Sequence, residues 1–226
     1  IKNWIFTGDT HGGVGANIRI SNIQKNMPEY QPNETGVIIL GDAGLNFYLN
    51  KTDEKNKKEV DLTGFTIYCV RGNHEERPEN IPGMARFYDE NVGNEVWFQP
   101  EYRNIRYFMD GGVYVINGKR PLVIGGAYSI DKWYRLHRIG VLAEHQISRD
   151  AAAKAGWFMD EQLNAWEMNF IQRCCEGSHF DMILTHTCPE DWEPRDLFLQ
   201  GIDQSKVDKS MEKWLNDFKN CISWGI

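Results

Sequence analysis

No run of about eighteen apolar residues occurs in this chain of 226 residues, which excludes a membrane-spanning helix. An excess of positive charge is missing too: 25 Lys and Arg face 32 Asp and Glu, a formal net charge of −7. That balance argues against broad electrostatic binding of nucleic acid or of an anionic membrane. It does not exclude phosphorylated substrates, because bound divalent ions reverse the sign locally. Cysteine is scarce and odd in number, at Cys69, Cys174, Cys175, Cys188 and Cys221. Without a disulfide framework the expectation is buried thiols and a cytoplasmic location. Cys174 and Cys175 are adjacent and lack the spacing of a zinc knuckle. Repeats, low-complexity tracts and linkers are absent as well, so one domain over 1–226 is expected.

Aromatics are plentiful, with eight Trp, nine Tyr and eleven Phe, enough to fill core gaps and line a cleft. Three polar blocks carry the chemistry: Gly8-Asp9-Thr10-His11-Gly12, Gly41-Asp42, and Arg71-Gly72-Asn73-His74-Glu75. Asp42 follows Asp9 by 33 positions and Asn73 follows Asp42 by 31. Each block comes just after a short apolar run: Trp4-Ile5-Phe6, Val37-Ile38-Ile39-Leu40 and Phe65 to Val70. Each therefore reads as a loop at the carboxyl end of a buried strand, the place where open α/β sheets bind ligands. Two carboxylates, an imidazole and an amide oxygen would converge there, a metal-ligand set with room for two ions. Plainer readings exist: Asp9 as a helix cap, Asp42 and Asn73 as turn residues.

Ala16, Ile20, Ile23 and Met27 recur at helical spacing and predict an amphipathic helix over about 15–27. With strands 37–40 and 65–70 this makes a βαβαβ unit, and its right-handed crossovers put the three strand ends on one edge. From about Glu95 the pattern changes to short strands at 96–98, 105–108, 113–116 and 122–124, read as a meander that begins a second sheet. Asn117-Gly118 marks a hairpin between the last two. Residues 132–138 read as irregular, aromatic and basic. A helix is expected from about Asp160, capped by it, with Leu163, Trp166, Phe170 and Cys174 on its apolar face. A strand over 180–184 ends at His186, and Val207, Met211, Trp214, Leu215 and Phe218 mark a last helix.

The three blocks, in this order and spacing, resemble the Asp-x-His, Gly-Asp and Gly-Asn-His-Glu/Asp elements of the calcineurin-like metallophosphoesterases. His186, in Leu184-Thr185-His186-Thr187, stands where that family carries a later lone His. The resemblance spans Trp4 to about Pro189. It implies an α/β fold, a four-layer α/β/β/α sandwich of two mixed sheets flanked by helices. It implies hydrolysis of a phosphomonoester or phosphodiester by metal-activated water, on a phosphorylated small molecule or nucleotide. Asp9 and His11 would hold one divalent ion, Asp42 would bridge, and Asn73 and His186 would hold the second. Oxygen and imidazole donors suit Mn²⁺, Fe or Zn²⁺, with Mn²⁺ preferred. His74 would face the phosphate and assist the leaving group. Arg71 could hold a phosphate oxygen or pair with Glu75 or Glu76. Arg135 and Tyr134 could reach over the cleft to substrate or simply decorate a loop. The family's final Gly-His-x-His does not occur among the six His of the chain, which include His137, His145 and His179. The expectation is that the encoded protein continues past Ile226 into it; the other reading is a degenerate member that binds without catalysis. Gly41-Asp42-Ala43-Gly44 lacks the Asp-Arg-Gly of the protein Ser/Thr phosphatases, which counts against a phosphoprotein substrate. A nuclease of the same fold is a third reading, disfavoured by the acidic balance.

Overall fold

The structure is a computed structural model that describes residues 1–197 and 203–225, without the side chains of 13–18 and 204. Strand β1 (Asn3–Thr7) leads through helix α1 (Gly13–Asn26) to β2 (Thr35–Leu40), and α2 (Lys51–Asp61) leads on to β3 (Thr66–Val70). The three strands are parallel and in register, Ile5 beside Val37 and Val37 beside Ile67, so their carboxyl ends lie on one edge as expected. On α1, Ile20 is buried and Ile23 packs against the core, Met27 lies past the helix end and is exposed, and Ala16 lies outside the described side chains.

The first two strands of the expected meander join this same sheet, and only the last, at 122–124, belongs to another. Strands β4 (Ala85–Asp89), β5 (Asn94–Phe98) and β6 (Ile105–Tyr107) complete a six-stranded mixed sheet in the order β1-β2-β3-β6-β5-β4. β6 runs parallel to β3, with Ile105 beside Ile67 and Tyr107 beside Cys69, while β5 and β4 add on antiparallel. Ile105, Tyr107, Ile67 and Cys69 all bury on one face, and this shared burial settles which sheet the strand joins. β4 had no counterpart in the sequence reading; its alternation is that of a half-exposed edge strand.

β7 (Pro121–Ile124) belongs to a second, smaller sheet. Residues 113–116, expected as its hairpin partner, make only the single bridges Val113–Leu122 and Ile116–Lys119. The Asn117-Gly118 turn between them does form: both residues have positive φ (51° and 73°), and Ile116 and Lys119 exchange backbone hydrogen bonds of 2.9 and 3.0 Å. The stretch read as irregular is a two-turn helix, α3 (Lys132–Arg138), followed by α4 (Arg149–Lys154), α5 (Ala165–Cys175), β8 (His179–Phe180), β9 (Met182–Thr185), α6 (Ser210–Cys221) and β10 (Ser223–Trp224). β7 pairs in parallel with β9, and β10 with β8.

α5 starts later than Asp160 and turns a different face inward. Its cap is Asn164, whose side chain accepts from the backbone of Trp166 and Glu167 while Glu167 reaches back to Asn164 N. Asp160 is held by Arg149 and Arg77 instead. The buried face is Met168, Ile171 and Cys175; Trp166, Phe170 and Cys174 are exposed, and Trp166 stacks on Phe170 at 5.5 Å.

Apolar side chains of the described residues bury in four clusters, a small one of Leu136, Ala152 and Trp157 and three larger ones. Val37, Ile39, Ile67 and Cys69 pack with Ile20 of α1 and Val60 of α2. Ile38, Tyr68 and Val70, alternating to the opposite face, pack with Tyr114, Val123 and Leu184. Leu122 and Ile124 pack with Met168 and Ile171 of α5 and Met211, Leu215 and Phe218 of α6. Burial on both faces is why β2 reads as an unbroken apolar run. Among the described residues no helix is long and apolar enough to cross a membrane, and the five cysteines are free thiols.

Candidate metal centre

The loops after β1, β2 and β3 bring the three polar blocks together, and the loop after β9 adds His186. One ligand atom each from Asp9, His11 and Asp42 lie within 4.8 Å of one another. His11 stands 3.8 Å from the Asp9 carboxylate and 4.0 Å from Asp42 Oδ2. The other Asp42 oxygen, Oδ1, accepts from the His74 backbone N–H at 2.9 Å and lies 3.6 Å from His186 Nε2. The two carboxylate oxygens of Asp42 thus face two different imidazoles.

Backbone bonds hold this arrangement. His11 N donates to Asp42 O at 2.9 Å, and Gly12 N to Ala43 O at 3.0 Å, tying the first loop to the second. His11 and Asp42 both sit in the left-handed region, with φ of 49° and 46°. Such backbone strain in non-glycine residues persists only where surrounding contacts impose it, and it clusters at functional sites. Two glycines of the motifs are required by close approach. A Cβ on Gly41 would come within 2.0 Å of His186 Nδ1, and one on Gly72 within 2.0 Å of Asp42 Oδ1.

His186 carries the clearest sign of what the cluster suits. Its Nδ1 lies 2.9 Å from Leu40 O, a carbonyl that can only accept, so this nitrogen carries a proton. In the neutral ring Nε2 is then a lone pair, and it points at Asn73 Oδ1, 2.8 Å away, with Asp42 Oδ1 nearby. Three acceptor atoms facing one another need a positive centre between them, either a second proton on the ring or a cation. Backbone orientation of a ligating imidazole through its other nitrogen is the usual arrangement at metal sites. With Asp9, His11 and the outer face of Asp42 forming the neighbouring group, the donor set fits divalent ions.

His74 lines a cleft of about 240 Å³ with His11, Gly44, Phe47, Tyr48 and Arg135. Burial pushes its imidazole pKa down; the Asp42 carboxylate opposes this and Arg135 adds to it. Arg135 donates from Nε to Asp131 at 2.7 Å and from Nη1 to Gly156 O at 3.0 Å; Nη2 has no partner among the described residues. Tyr134 is exposed and outside the cleft lining. Phe47 and Tyr48, which the sequence reading did not single out, are the aromatic wall; their place just after the Gly41–Gly44 turn was the available signal. A larger cavity of about 280 Å³, bounded by Arg77, Trp97 and Trp166, contains none of the candidate ligands.

Arg71 does neither thing expected of it. It is buried, and its guanidinium donates to Asp110 from Nε, to the carbonyls of Asp160 and Glu161 from Nη1, and to Gly125 O from Nη2, with Nη2 also ion-paired to Asp110 at 2.9 Å. With four hydrogen bonds made and the side chain buried, the guanidinium is not presented to a phosphate. Glu75 instead accepts from Gly72 N, and its burial pushes the carboxyl up to about 8. Glu76 accepts from Arg149.

A family model described as calcineurin-like phosphoesterase matches residues 4–220. No curated protein and no solved structure matches the chain.

Proposed function

Because the chain belongs to the calcineurin-like phosphoesterase family, whose members hydrolyse phosphoesters with divalent metals, we propose that its three strand-end loops and His186 form a two-ion hydrolytic site. Asp9, His11 and Asp42 Oδ2 would hold one ion; Asp42 Oδ1, Asn73 and His186 would hold the other. The observation that carries this is the division of Asp42 between two imidazoles, with Asp9 on one side and Asn73 on the other. Bound there, divalent ions supply Lewis acidity, lowering the pKa of a water and neutralising phosphoryl oxygens. Mixed oxygen and imidazole donors suit Mn²⁺, with Fe or Zn²⁺ as the alternatives.

The chain's own groups do the rest. His74 N–H fixes Asp42 Oδ1, and the His74 ring borders the cleft where the leaving group would sit. A proton handed from that ring to the departing oxygen completes the cleavage. Arg135 offers its unpartnered Nη2 to a phosphate oxygen in the same cleft, and Phe47 and Tyr48 exclude water from one side. The substrate is a phosphorylated small molecule or nucleotide. The family match along most of the chain supports a single domain, the three larger apolar clusters support a four-layer arrangement, and the free thiols support a cytoplasmic setting.

The test is hydrolysis of a phosphomonoester, a phosphodiester and single-stranded DNA with Mn²⁺, with metal content measured in parallel. Wild type should cleave an ester. Asp42→Asn should lose both metal and activity. His74→Gln should keep its metal and lose roughly 10²–10⁴ in rate. A metal-loaded wild type that cleaves none of these substrates points to a binding module, and loss of both ions from His74→Gln removes that residue from the substrate side.

A further inference from the structure

Asn73 can present either end of its carboxamide to the cluster, and only the oxygen end can ligate. The buried side chains behind it decide which. Asn73 Nδ2 donates to Ser129 Oγ at 2.8 Å, and Ser129 Oγ donates in turn to Glu161 Oε2. Glu161 Oε1 accepts from the Ser129 backbone N–H at 3.0 Å. All three residues are buried, Ser129 completely. The direction of the chain is dictated by its far end. Once Glu161 has lost its proton its carboxylate only accepts, so in that state the single hydroxyl proton of Ser129 goes to Glu161. Ser129 Oγ then faces Asn73 with lone pairs and must receive an N–H from it. The amide oxygen is left pointing the other way, at His186 Nε2 and towards Asp42.

Three further contacts fix the far end. Arg71, two residues before Asn73, donates to Glu161 O at 2.7 Å and to Gly125 O, and Gly126 N returns a bond to Arg71 O at 2.7 Å. The loop that carries Ser129 and the residue that orients it are therefore fastened to the loop that carries Asn73. A carboxylate this buried, with each oxygen accepting a hydrogen bond from Ser129 and only Trp157 and Lys132 as further favourable neighbours among the described residues, is costly to keep unless it orients something.

We propose that Ser129 and Glu161 are positioning residues that lock the Asn73 carboxamide oxygen toward the second ion and so set the affinity of that site alone. This rests on the two-ion reading above. Neither residue lines the cleft, and the bond from Asn73 to Ser129 is the route by which they act on the site.

The experiment is titration of metal-free protein with Mn²⁺, following free Mn²⁺ by its paramagnetic resonance, with folding checked by circular dichroism. Wild type should show two binding events. Ser129→Ala and Glu161→Gln should each weaken one event about 10–100-fold and leave the other unchanged, as loss of a group that orients a metal ligand does. The double variant should be no weaker than the worse single, because both act on one hydrogen-bonded chain. Ser129→Thr, which keeps the hydroxyl, should restore the event. Two unaltered events in both single variants overturn the relay and leave the two-ion reading standing. Equal weakening of both events also overturns it, since that is what general loosening of the site would do. A wild type that binds one ion or none overturns the two-ion reading and the relay with it. Should Ser129→Ala fail to fold, the near-isosteric Glu161→Gln decides the matter by the same readout.

Discussion

Asp42 meets more demands than any other residue described. It is buried, its backbone is left-handed, its carbonyl receives His11 N, one oxygen receives His74 N, and its two oxygens face separate imidazoles. Glycines at 41 and 72 give it and His186 the necessary room. Glu161 is constrained in a way that can be measured without any metal. Burial pushes its carboxyl up to about 7, against 4.5 unperturbed, with the Ser129 hydrogen bonds opposing. The unfolded carboxyl loses its proton near 4.5 and the folded one near 7, so between these values the folded state holds the extra proton. The Glu161 contribution to stability therefore falls as pH rises through that window, by at most about 1.4 kcal/mol per unit, and is flat above it. Relative to wild type, metal-free Glu161→Gln should gain unfolding free energy steadily from about pH 5 to 7 and no further beyond. Denaturant melts of both proteins across that range check this, and a pH-independent difference would contradict it.

At the scale of elements, α5 shows how a helix can be foreseen while its inward face is not. Trp166 and Phe170 are spaced for a helix face and are the most apolar candidates, yet they stack on each other in solvent. Asp160 is a plausible cap by residue type, but Asn164-Ala165-Trp166-Glu167 carries the capping box and starts the helix there. Starting at that cap, Met168, Ile171 and Cys175 fall on the face that meets Leu122 and Ile124. Ile171→Ala should destabilise the protein by about 2–5 kcal/mol. Phe170→Ala should change stability by roughly 0.5 kcal/mol or less, as exposed positions do. Chemical denaturation of the two variants distinguishes the faces; a larger loss for Phe170→Ala would mean that the exposed pair is covered in solution.

For the whole molecule the consequence is linkage between metal and fold. The candidate ligands come from loops after β1, β2, β3 and β9, so they share one region only in the folded chain. An ion bound by the folded state alone, at a hundred times its dissociation constant, stabilises by about 2.7 kcal/mol. For a chain of this size that raises the melting temperature by roughly 5–10 °C. Mn²⁺ should produce such a rise in wild type, a chelator should reverse it, and Asp42→Asn should show none. Scanning calorimetry with and without Mn²⁺ reads all three. An equal rise in the variant would place the ion elsewhere on this acidic surface.

The sequence by itself determined the parallel βαβαβ start and the meeting of Asp9, His11, Asp42 and Asn73. Both follow from local facts: apolar runs mark the buried strands, and right-handed crossovers leave the polar blocks at one edge. It also determined the Asn117-Gly118 turn, because two consecutive left-handed residues have few alternatives. Tertiary structure alone decided which sheet β5 and β6 joined, since a short alternating strand specifies a buried face but not a neighbour. It decided the fate of Arg71, whose guanidinium makes four hydrogen bonds to residues 39 to 90 positions away. It also set Ser129 and Glu161 behind Asn73, 56 and 88 positions along the chain. Hydrogen-bond partners so distant leave no trace in local periodicity, because what brings them together is the packing of the loops and not the pattern within any one of them.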